Sequence, residues 1–354
     1  MSNEMNRRQF LKTSAVVGAT WVAGDLLKGG GRMAYGSVKI PEIERLVVTV
    51  ITDNYYDCLR PNYKIAKRYF IIPGTSIHSE HGLAYYIEAS VNGKTHSFMF
   101  DYGLDFQGVS KNMELLDIDL RRLEALGISH GHFDHWGNLV ALLKYNKAKI
   151  RKDIPLYVGE ETFSQRFAKL PAGPFEVSGL IDLEQLRRDE IESLGFVKIV
   201  EIKEPTPIVP GAYLTGNIER VTDYEKGSPI LLIRRGNQME PDLFTGEQSL
   251  VFNLKGKGLI VVSSCAHAGI VNTVKHAQKM TGIDKVHAVI GGFHLSGARP
   301  EVIQKTIADM KSIAPEHIVP MHCTGFEAVT AFQREMPGQF IINTAGTRYW
   351  FTTG

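Results

Sequence analysis

The sequence predicts an α/β protein in which two sheets pack together and helices cover their outer sides. Strand-like runs followed by helix-like runs form one series over residues 45–129 and another over residues 258–321. Such series are typical of sheets flanked by helices. In the first series, a strand-like run ends on a cluster of three histidines and an aspartate within residues 130–135, which places chemistry at the edge of a sheet.

The first series begins with residues 45–52, a β-branched run that is typical of a buried strand. The pair Asn92-Gly93 stands between strand-like residues 83–91 and 96–100 and predicts a hairpin. The remaining elements of this series are helices at 109–116 and 119–123 and a strand at 123–129.

The middle of the chain, residues 144–242, is less regular and is expected to shape a substrate pocket. A strand is predicted at 154–159, a charged surface helix at 183–194 and a loop-rich crossing at 204–216. The last third is clearer. It predicts strands at 258–264, 286–292 and 317–321 and helices at 270–281 and 300–313.

The composition is that of an ordinary globular protein. Of 354 residues, 44% are apolar and 22% are charged, and the net charge is +2, so a large core is available. No basic run appears, and nucleic acid is therefore not an expected partner. No apolar stretch approaches the roughly 20 residues that span a bilayer. Three cysteines give no disulfide framework, and we interpret Cys265 and Cys323 as small buried residues that strand alternation points away from neighbouring histidines.

The N-terminus is predicted to be an export signal and not part of the folded domain. Arg7-Arg8 followed by Phe10-Leu11-Lys12 resembles the twin-arginine signal of bacteria, and a short, moderately apolar stretch follows over residues 15–27. The alternative is a basic, frayed terminus that contains Arg-Arg by chance. With cleavage near Ala34-Tyr35-Gly36, residues 1–36 would be a signal peptide. The Tat translocase would then be a transient partner, and the mature protein, without a stable membrane span, would be periplasmic or secreted.

The histidine cluster has the clearest chemical meaning. On a strand, His130 and His132 would share one face, and the following turn could aim Asp134 and His135 into the same space. Imidazole nitrogen and carboxylate oxygen suit zinc and other borderline divalent metals. Packing alone is a poor explanation, because four such groups crowded together without a metal would be costly to bury. The pattern therefore predicts a metal centre.

The cluster resembles the HxHxDH signature of the metallo-β-lactamase superfamily. Together with five further segments it is similar to one branch, the 7,8-dihydropterin-6-methyl-4-(β-D-ribofuranosyl)aminobenzene-5'-phosphate synthase-like proteins, over nearly all of the chain from about residue 45. The resemblance implies one metallo-β-lactamase-like domain over residues 42–354, folded as an αββα sandwich. The five segments are Ser79-Glu-His-Gly-Leu, Phe100-Asp-Tyr-Gly, Ser264-Cys-Ala-His-Ala-Gly-Ile-Val-Asn-Thr, Gly291-Gly-Phe-His-Leu and His322-Cys-Thr-Gly.

The same resemblance implies a set of metal ligands and their support. Asp101 would orient the ligands through hydrogen bonds, although Tyr102 stands where the branch usually has threonine. Asp134 would also shuttle a proton during catalysis. Carried over residue by residue, the first metal would be held by His130, His132 and His267 and the second by Asp134, His135 and His322.

One ligand of the usual two-metal site is missing. Most two-metal members have a bridging aspartate where this chain has His294. His294 could be a terminal metal ligand, could point into the substrate pocket or could be a core histidine. Because a neutral imidazole cannot bridge two metals as a carboxylate does, we expect a weaker second site and one or two bound metals. His81 could reach the pocket rim and bind metal or substrate, or it could serve only packing or capping.

This chemistry predicts a hydrolase acting on a small molecule. Zinc lowers the pKa of bound water to about 7, and the resulting metal-activated hydroxide can attack an ester, lactone, amide or phosphoester. Iron and manganese are alternative metals. The alternative functions are the synthase-like activity of the branch, an iron-dependent oxidoreductase of the same fold, and a non-catalytic protein with a degenerate site.

Overall fold

The computed structural model describes residues 37–170 and 179–353, so the signal peptide predicted at 1–36 lies outside the described residues. Within them the chain forms two large sheets, one small sheet and seven helices. None of the helices in this part of the chain is long and apolar enough to cross a membrane.

The strands and helices have the following bounds. In chain order the strands are β1 (Glu42–Ile43), β2 (Arg45–Thr52), β3 (Ala66–Lys67), β4 (Ala84–Val91), β5 (Lys94–Tyr102), β6 (Leu123–Gly127), β7 (Ile154–Gly159), β8 (Arg166–Leu170), β9 (Gly179–Asp182), β10 (Val197–Ile202), β11 (Thr206–Val209), β12 (Ala212–Leu214), β13 (Leu231–Arg235), β14 (Gln238–Pro241), β15 (Leu250–Leu254), β16 (Gly258–Val262), β17 (Val286–Gly292), β18 (His317–Met321) and β19 (Arg348–Thr352). The helices are α1 (Phe106–Leu115), α2 (Phe133–Trp136), α3 (Leu139–Asn146), α4 (Arg188–Ser193), α5 (Ile270–Thr281), α6 (Pro300–Ile313) and α7 (Phe326–Glu335).

The first large sheet has the strand order β10-β7-β6-β5-β4-β2-β19-β3. The second has the order β11-β12-β15-β16-β17-β18, with β1 also paired to β15. The hairpin predicted at Asn92-Gly93 joins β4 to β5. Both residues have positive φ angles, 51° and 75°, as the favoured two-residue turn requires.

Alternation along the strands explains the layers. Phe98 and Phe100 of β5 belong to the core between the two large sheets, whereas Met99 packs toward α1 and α3 on the outer side. In the second sheet, Ile260 of β16 faces the first sheet and Val261 packs toward α5, α6 and α7. Because both sheets are buried on two faces, the layers are helix, sheet, sheet and helix. The αββα sandwich predicted from the sequence is confirmed.

The middle of the chain differs from the prediction in two places. Residues 204–216, predicted as a loop-rich crossing, contain the antiparallel hairpin of β11 and β12. Pro207 is tolerated there because β11 is an edge strand with an irregular register beside it. The surface helix predicted at 183–194 is the shorter α4. A small antiparallel sheet, ordered β14-β13-β8-β9, was not predicted.

The topology places the chemically active segments at one edge. Strand β6 is parallel to β5, and β16, β17 and β18 are parallel to one another. The C-terminal ends of parallel strands lie at the same edge of a sheet, where ligands commonly bind. The segments that follow these ends contain His294 and the six residues that the resemblance implies as ligands of the two metals.

Candidate metal centre

The central motif leaves β6 and bends at once into the one-turn helix α2. His132 precedes the first residue of α2, and Asp134 and His135 lie within it. Trp136 Nε1 donates a hydrogen bond to the Gly131 carbonyl oxygen at 3.0 Å. This turn directs all four predicted ligands of the motif toward one buried space.

His130, His132 and His267 form a first cluster. Their ligand atoms lie within 4.8 Å of one another, and His130 Nε2 is 3.2 Å from His267 Nε2. Burial lowers the pKa of His132 to about 3. Burial and the neighbouring rings of His135 and His132 also hold the pKa of His130 well below its usual value. These imidazoles are therefore neutral at pH 7, as metal ligation requires.

Asp134, His135 and His322 form a second cluster beside the first. Asp134 Oδ2 lies 3.4 Å from His135 Nε2 and 3.3 Å from His322 Nε2. Burial alone would raise the pKa of Asp134, but His135 and His322 hold it well below its usual range. The carboxylate is therefore ionised at neutral pH.

Asp101 lies behind the second cluster and contacts it through His135. Its Oδ1 accepts a hydrogen bond from the Ser129 backbone N–H at 2.8 Å, and its Oδ2 accepts one from Ser129 Oγ at 2.8 Å. Oδ2 also accepts from His135 Nδ1 at 2.8 Å and from Ser264 Oγ. The bond to Nδ1 fixes the ring of His135 so that Nε2 is directed into the site.

The unpaired atoms of the site match a divalent metal. Among the described residues, His132 Nε2 and His322 Nε2 are buried and have no hydrogen-bond partner. Polar atoms in that state are rare and require an explanation. The separations of 3.2–3.4 Å found in the two clusters are close to the roughly 3.3 Å between ligand atoms around tetrahedral zinc. The residues present therefore fit the metal that the sequence predicts.

Backbone strain concentrates at the same edge. Five residues other than glycine around the site have φ angles between 46° and 58°. This left-handed region costs an L-residue about 1–2 kcal/mol, and such strain collects at functional sites. The five residues are Asp101, Phe244, Ala266, His294 and His322.

His81 and His294 are the two histidines whose roles the sequence left open, and both lie at the site. His81 Nε2 is 3.7 Å from Asp134 Oδ2, its side chain is 62% exposed, and its ring stacks on His322 with 5.0 Å between centroids. His294 packs against His267 with 4.0 Å between ring centroids. His81 thus lies at the open rim, whereas His294 lies among the candidate ligands.

Several residues around the site were missed by the sequence analysis. Phe244 stacks face to face on His267, with ring centroids 3.8 Å apart and an interplanar angle of 4°. The buried Arg166 donates from Nε to Asp242 Oδ2 at 2.7 Å, and Asp242 accepts from the Phe244 N–H. This ion pair therefore fixes the loop that covers the first cluster. No local motif marks these residues, and only the long-range packing reveals them.

Two buried carboxylates fix the segment that contains His267. Glu247 accepts the backbone N–H groups of His267 and Ala268, at 2.8 and 2.7 Å. Glu225 accepts those of Val271 and Asn272 at the start of α5. Carboxylates are favoured at a helix N-terminus because its backbone N–H groups have no partners within the helix.

The family model for the metallo-β-lactamase superfamily matches residues 80–213. A curated relative from Methanocaldococcus jannaschii is 36% identical over 265 residues, which are 74% of this chain and 87% of the relative. Its name is 7,8-dihydropterin-6-methyl-4-(β-D-ribofuranosyl)-aminobenzene-5'-phosphate synthase. The chain belongs to the metallo-β-lactamase superfamily. Within the superfamily, its similarity to this synthase confirms the branch suggested by the motifs.

Two further comparisons agree with this membership. An uncharacterised protein of the same archaeon is 25% identical over 255 residues, 71% of this chain and 87% of that protein. A crystal structure described as a metal-dependent hydrolase of the β-lactamase superfamily aligns with a TM-score of 0.65 and 25% identity, covering 86% of this chain and 98% of that one. At the N-terminus, residues 4–20 match the twin-arginine translocation signal sequence, which indicates export across a membrane.

Proposed function

We propose that the mature chain is a metal-dependent hydrolase acting on a small molecule outside the cytoplasm. The main support is the pair of adjacent ligand clusters, which approach each other where His130 and His135 lie with ring centroids 4.4 Å apart and which have the exposed His81 at their rim. A buried cation site with an exposed polar rim suits a substrate that enters from solvent. Membership of the superfamily agrees with metal chemistry at this site.

In this proposal the two clusters hold divalent metal. When bound, the metal activates water and polarises the scissile bond. Zinc is the expected metal because the ligands are mostly imidazole, and iron and manganese are the alternatives. The first metal is held by His130, His132 and His267 and the second by Asp134, His135 and His322.

Asp134 has two roles in this proposal. It is ionised in spite of its burial, because His135 and His322 face it. One of its oxygens is directed to the second cluster and lies within 3.7 Å of His81 at the rim. We propose that this carboxylate helps to hold the metal and accepts a proton from the attacking water.

His81 is proposed to bind the substrate and not the metal, because its side chain is 62% exposed. Replacing His81 by alanine should lower kcat/KM by about 10–100-fold, the loss expected for one hydrogen bond to a charged or polarised group. Bound metal per chain should stay unchanged when measured by elemental analysis. His317→Ala, at the start of β18 and away from the site, is the matched control. Loss of one metal from the His81 variant would instead make His81 a ligand.

A second function is supported by the 36% identity to the archaeal synthase. The name of that relative implies a phosphorylated ribosyl compound. Binding a phosphate would require free cationic groups near the metal. The nearby Arg166 is engaged, because it donates to Asp242 and to the carbonyl oxygens of Glu161 and Ser164. Hydrolysis by a metal-activated hydroxide is therefore the proposal we favour over the synthase reaction, with an ester, lactone or amide ahead of a phosphoester.

The functional test is a substrate screen on the purified mature chain loaded with zinc. Ester, lactone, β-lactam and phosphoester compounds are each compared with the dihydropterin synthase reaction. Metal-dependent turnover of one hydrolytic class supports the proposal. Synthase turnover without hydrolysis of any class would contradict it and favour the second function.

The site of action is proposed to be the periplasm or the exterior of the cell. Replacing Arg7 and Arg8 together by lysine should stop export, because the Tat route depends on the arginine pair, and the precursor should accumulate in the cytoplasm. Cell fractionation with immunodetection measures this. The matched control is Lys12→Arg, which keeps the pair. Unchanged export of the double variant would show that another signal directs the protein.

A further inference from the structure

The thiol of Cys265 lies between the two ligand clusters. Its Sγ atom is 3.2 Å from His135 Nε2. It also lies within 4.8 Å of ligand atoms of His130, His267 and His322. Cys265 is therefore close to members of both the first and the second cluster, and its side chain is buried.

From strand alternation we predicted that this side chain points away from the ligands, and that prediction is wrong. Strand β16 ends at Val262, three residues before Cys265. Ala266 then adopts a left-handed φ angle of 55°. Alternation would in any case place residues two apart on the same face, and Cys265 and His267 both face the site.

The orientation of His135 shows which of its atoms meets the sulfur. His135 Nδ1 donates to Asp101 Oδ2 at 2.8 Å, so Nε2 is the ring nitrogen that faces the sulfur. A ring nitrogen and a sulfur atom thus converge on the same buried point. Both are metal ligands when the thiol is deprotonated.

The superfamily resemblance implies a bridging acid that this chain lacks, since His294 stands in its place. A bridging ligand needs several lone pairs on one group and contact with both metals. A thiolate sulfur meets the first condition, and the position of Cys265 meets the second. We propose that the Cys265 thiolate is a metal ligand that links the two clusters in place of the missing carboxylate. This inference rests on the metal centre of the proposed function.

The second cysteine of the site, Cys323, has different contacts. Its Sγ lies 3.5 Å from the carbonyl oxygen of Cys265 and donates its hydrogen to it. It is packed closely, because a Cβ atom on Gly292 would lie 2.7 Å from its sulfur. Its Sγ also lies within 4.8 Å of ligand atoms of Cys265 and His322, so Cys323 is a second buried thiol beside the second cluster, and Cys323→Ser is the control that separates its contribution from that of Cys265.

A thiolate in the site has a consequence for metal choice. Thiolates select zinc and iron, whereas manganese and magnesium prefer carboxylate, carbonyl and water. The preference for zinc over manganese should therefore fall in a Cys265→Asp variant, whose carboxylate replaces the thiolate.

The test uses the full mature chain freed of metal and titrated with Co²⁺. Sulfur bound to Co²⁺ gives an intense near-ultraviolet charge-transfer band that nitrogen and oxygen ligands do not give. The native chain, Cys323→Ser and Cys58→Ser should show the band. Cys265→Ser should lose it, and Cys265→Asp should bind two equivalents of Co²⁺ without it. X-ray absorption of the native zinc-loaded chain, which needs no variant, should show sulfur at about 2.3 Å.

The outcomes separate this inference from the proposed function. Co²⁺ binding without a charge-transfer band in the native chain would overturn the thiolate ligand and leave the metal centre intact. A band that persists in Cys265→Ser would overturn it equally. No Co²⁺ binding at all would refute the metal centre itself, and the thiolate with it.

Discussion

Replacing Asp134 by alanine is expected to lower kcat/KM by at least about 10³-fold. The carboxylate faces three histidines, His81, His135 and His322, with Oδ2 between 3.3 and 3.7 Å from each. Its removal takes one ligand from the second cluster and also the proposed proton acceptor. Metal catalysis supplies several kcal/mol of transition-state stabilisation, and each 1.36 kcal/mol corresponds to about a factor of ten.

The same change should lower the bound metal by about one equivalent per chain. His130→Ala, which removes a ligand from the first cluster, should give a comparable loss of activity. The matched control is His287→Ala. His287 is a buried histidine near the start of β17, at the end away from His294, and is paired with Glu316. Steady-state kinetics and elemental analysis measure both effects. An Asp134→Ala variant with full metal and full activity would refute the assignment.

Replacing Asp101 by alanine should give the largest loss of stability, about 3–5 kcal/mol in the free energy of unfolding. This side chain is fully buried and accepts hydrogen bonds from Ser129, His135 and Ser264. Removing it leaves those donors unpaired in the core, and breaking a buried charged contact has a cost of this size. Metal affinity should fall by about 10–100-fold as well, because His135 loses the partner that orients it.

Two controls separate the lost contacts from the backbone strain at Asp101. Asp117 is exposed and has a similar φ angle, 51° against 58°. Asp117→Ala therefore measures only the cost of placing alanine in a left-handed backbone. Its loss in the free energy of unfolding should be far smaller. Asp101→Asn keeps the shape and tolerates the left-handed backbone, so it should lose about 1–3 kcal/mol. Urea unfolding measures all three variants. Equal losses in Asp101→Ala and Asp117→Ala would contradict the support role.

The sequence predicted the regular layers well because their patterns are local. The bounds predicted for β2, β7, β17, β18, α5 and α6 agree with the structure. Strand β15, between β12 and β16 in the second sheet, was missed. The edge hairpin of β11 and β12 was also missed, because prolines usually indicate loops and an edge strand tolerates them. The single domain over residues 42–354 stays a prediction.

In the candidate site, too, the residues within local motifs were predicted and those joined by long-range contacts were not. The sequence placed the HxHxDH cluster, His267 and His322 after strands, and the structure brings them together. Their roles as metal ligands stay predictions. The orientation of Cys265 was predicted wrongly, because Cys265 is two residues from His267 and alternation places such residues on one face. The ion pair of Arg166 and Asp242 joins residues 76 positions apart, a contact that no local pattern encodes.

The most direct test of the central claim is the metal content of the purified mature chain, measured together with hydrolysis before and after chelation. The account predicts up to two equivalents of zinc per chain, loss of hydrolysis when the metal is removed, and recovery when zinc returns. A chain that binds no divalent metal, or that hydrolyses its substrate equally well without one, would contradict it. Bound iron with redox turnover in place of hydrolysis would contradict the proposed function and leave the metal centre standing.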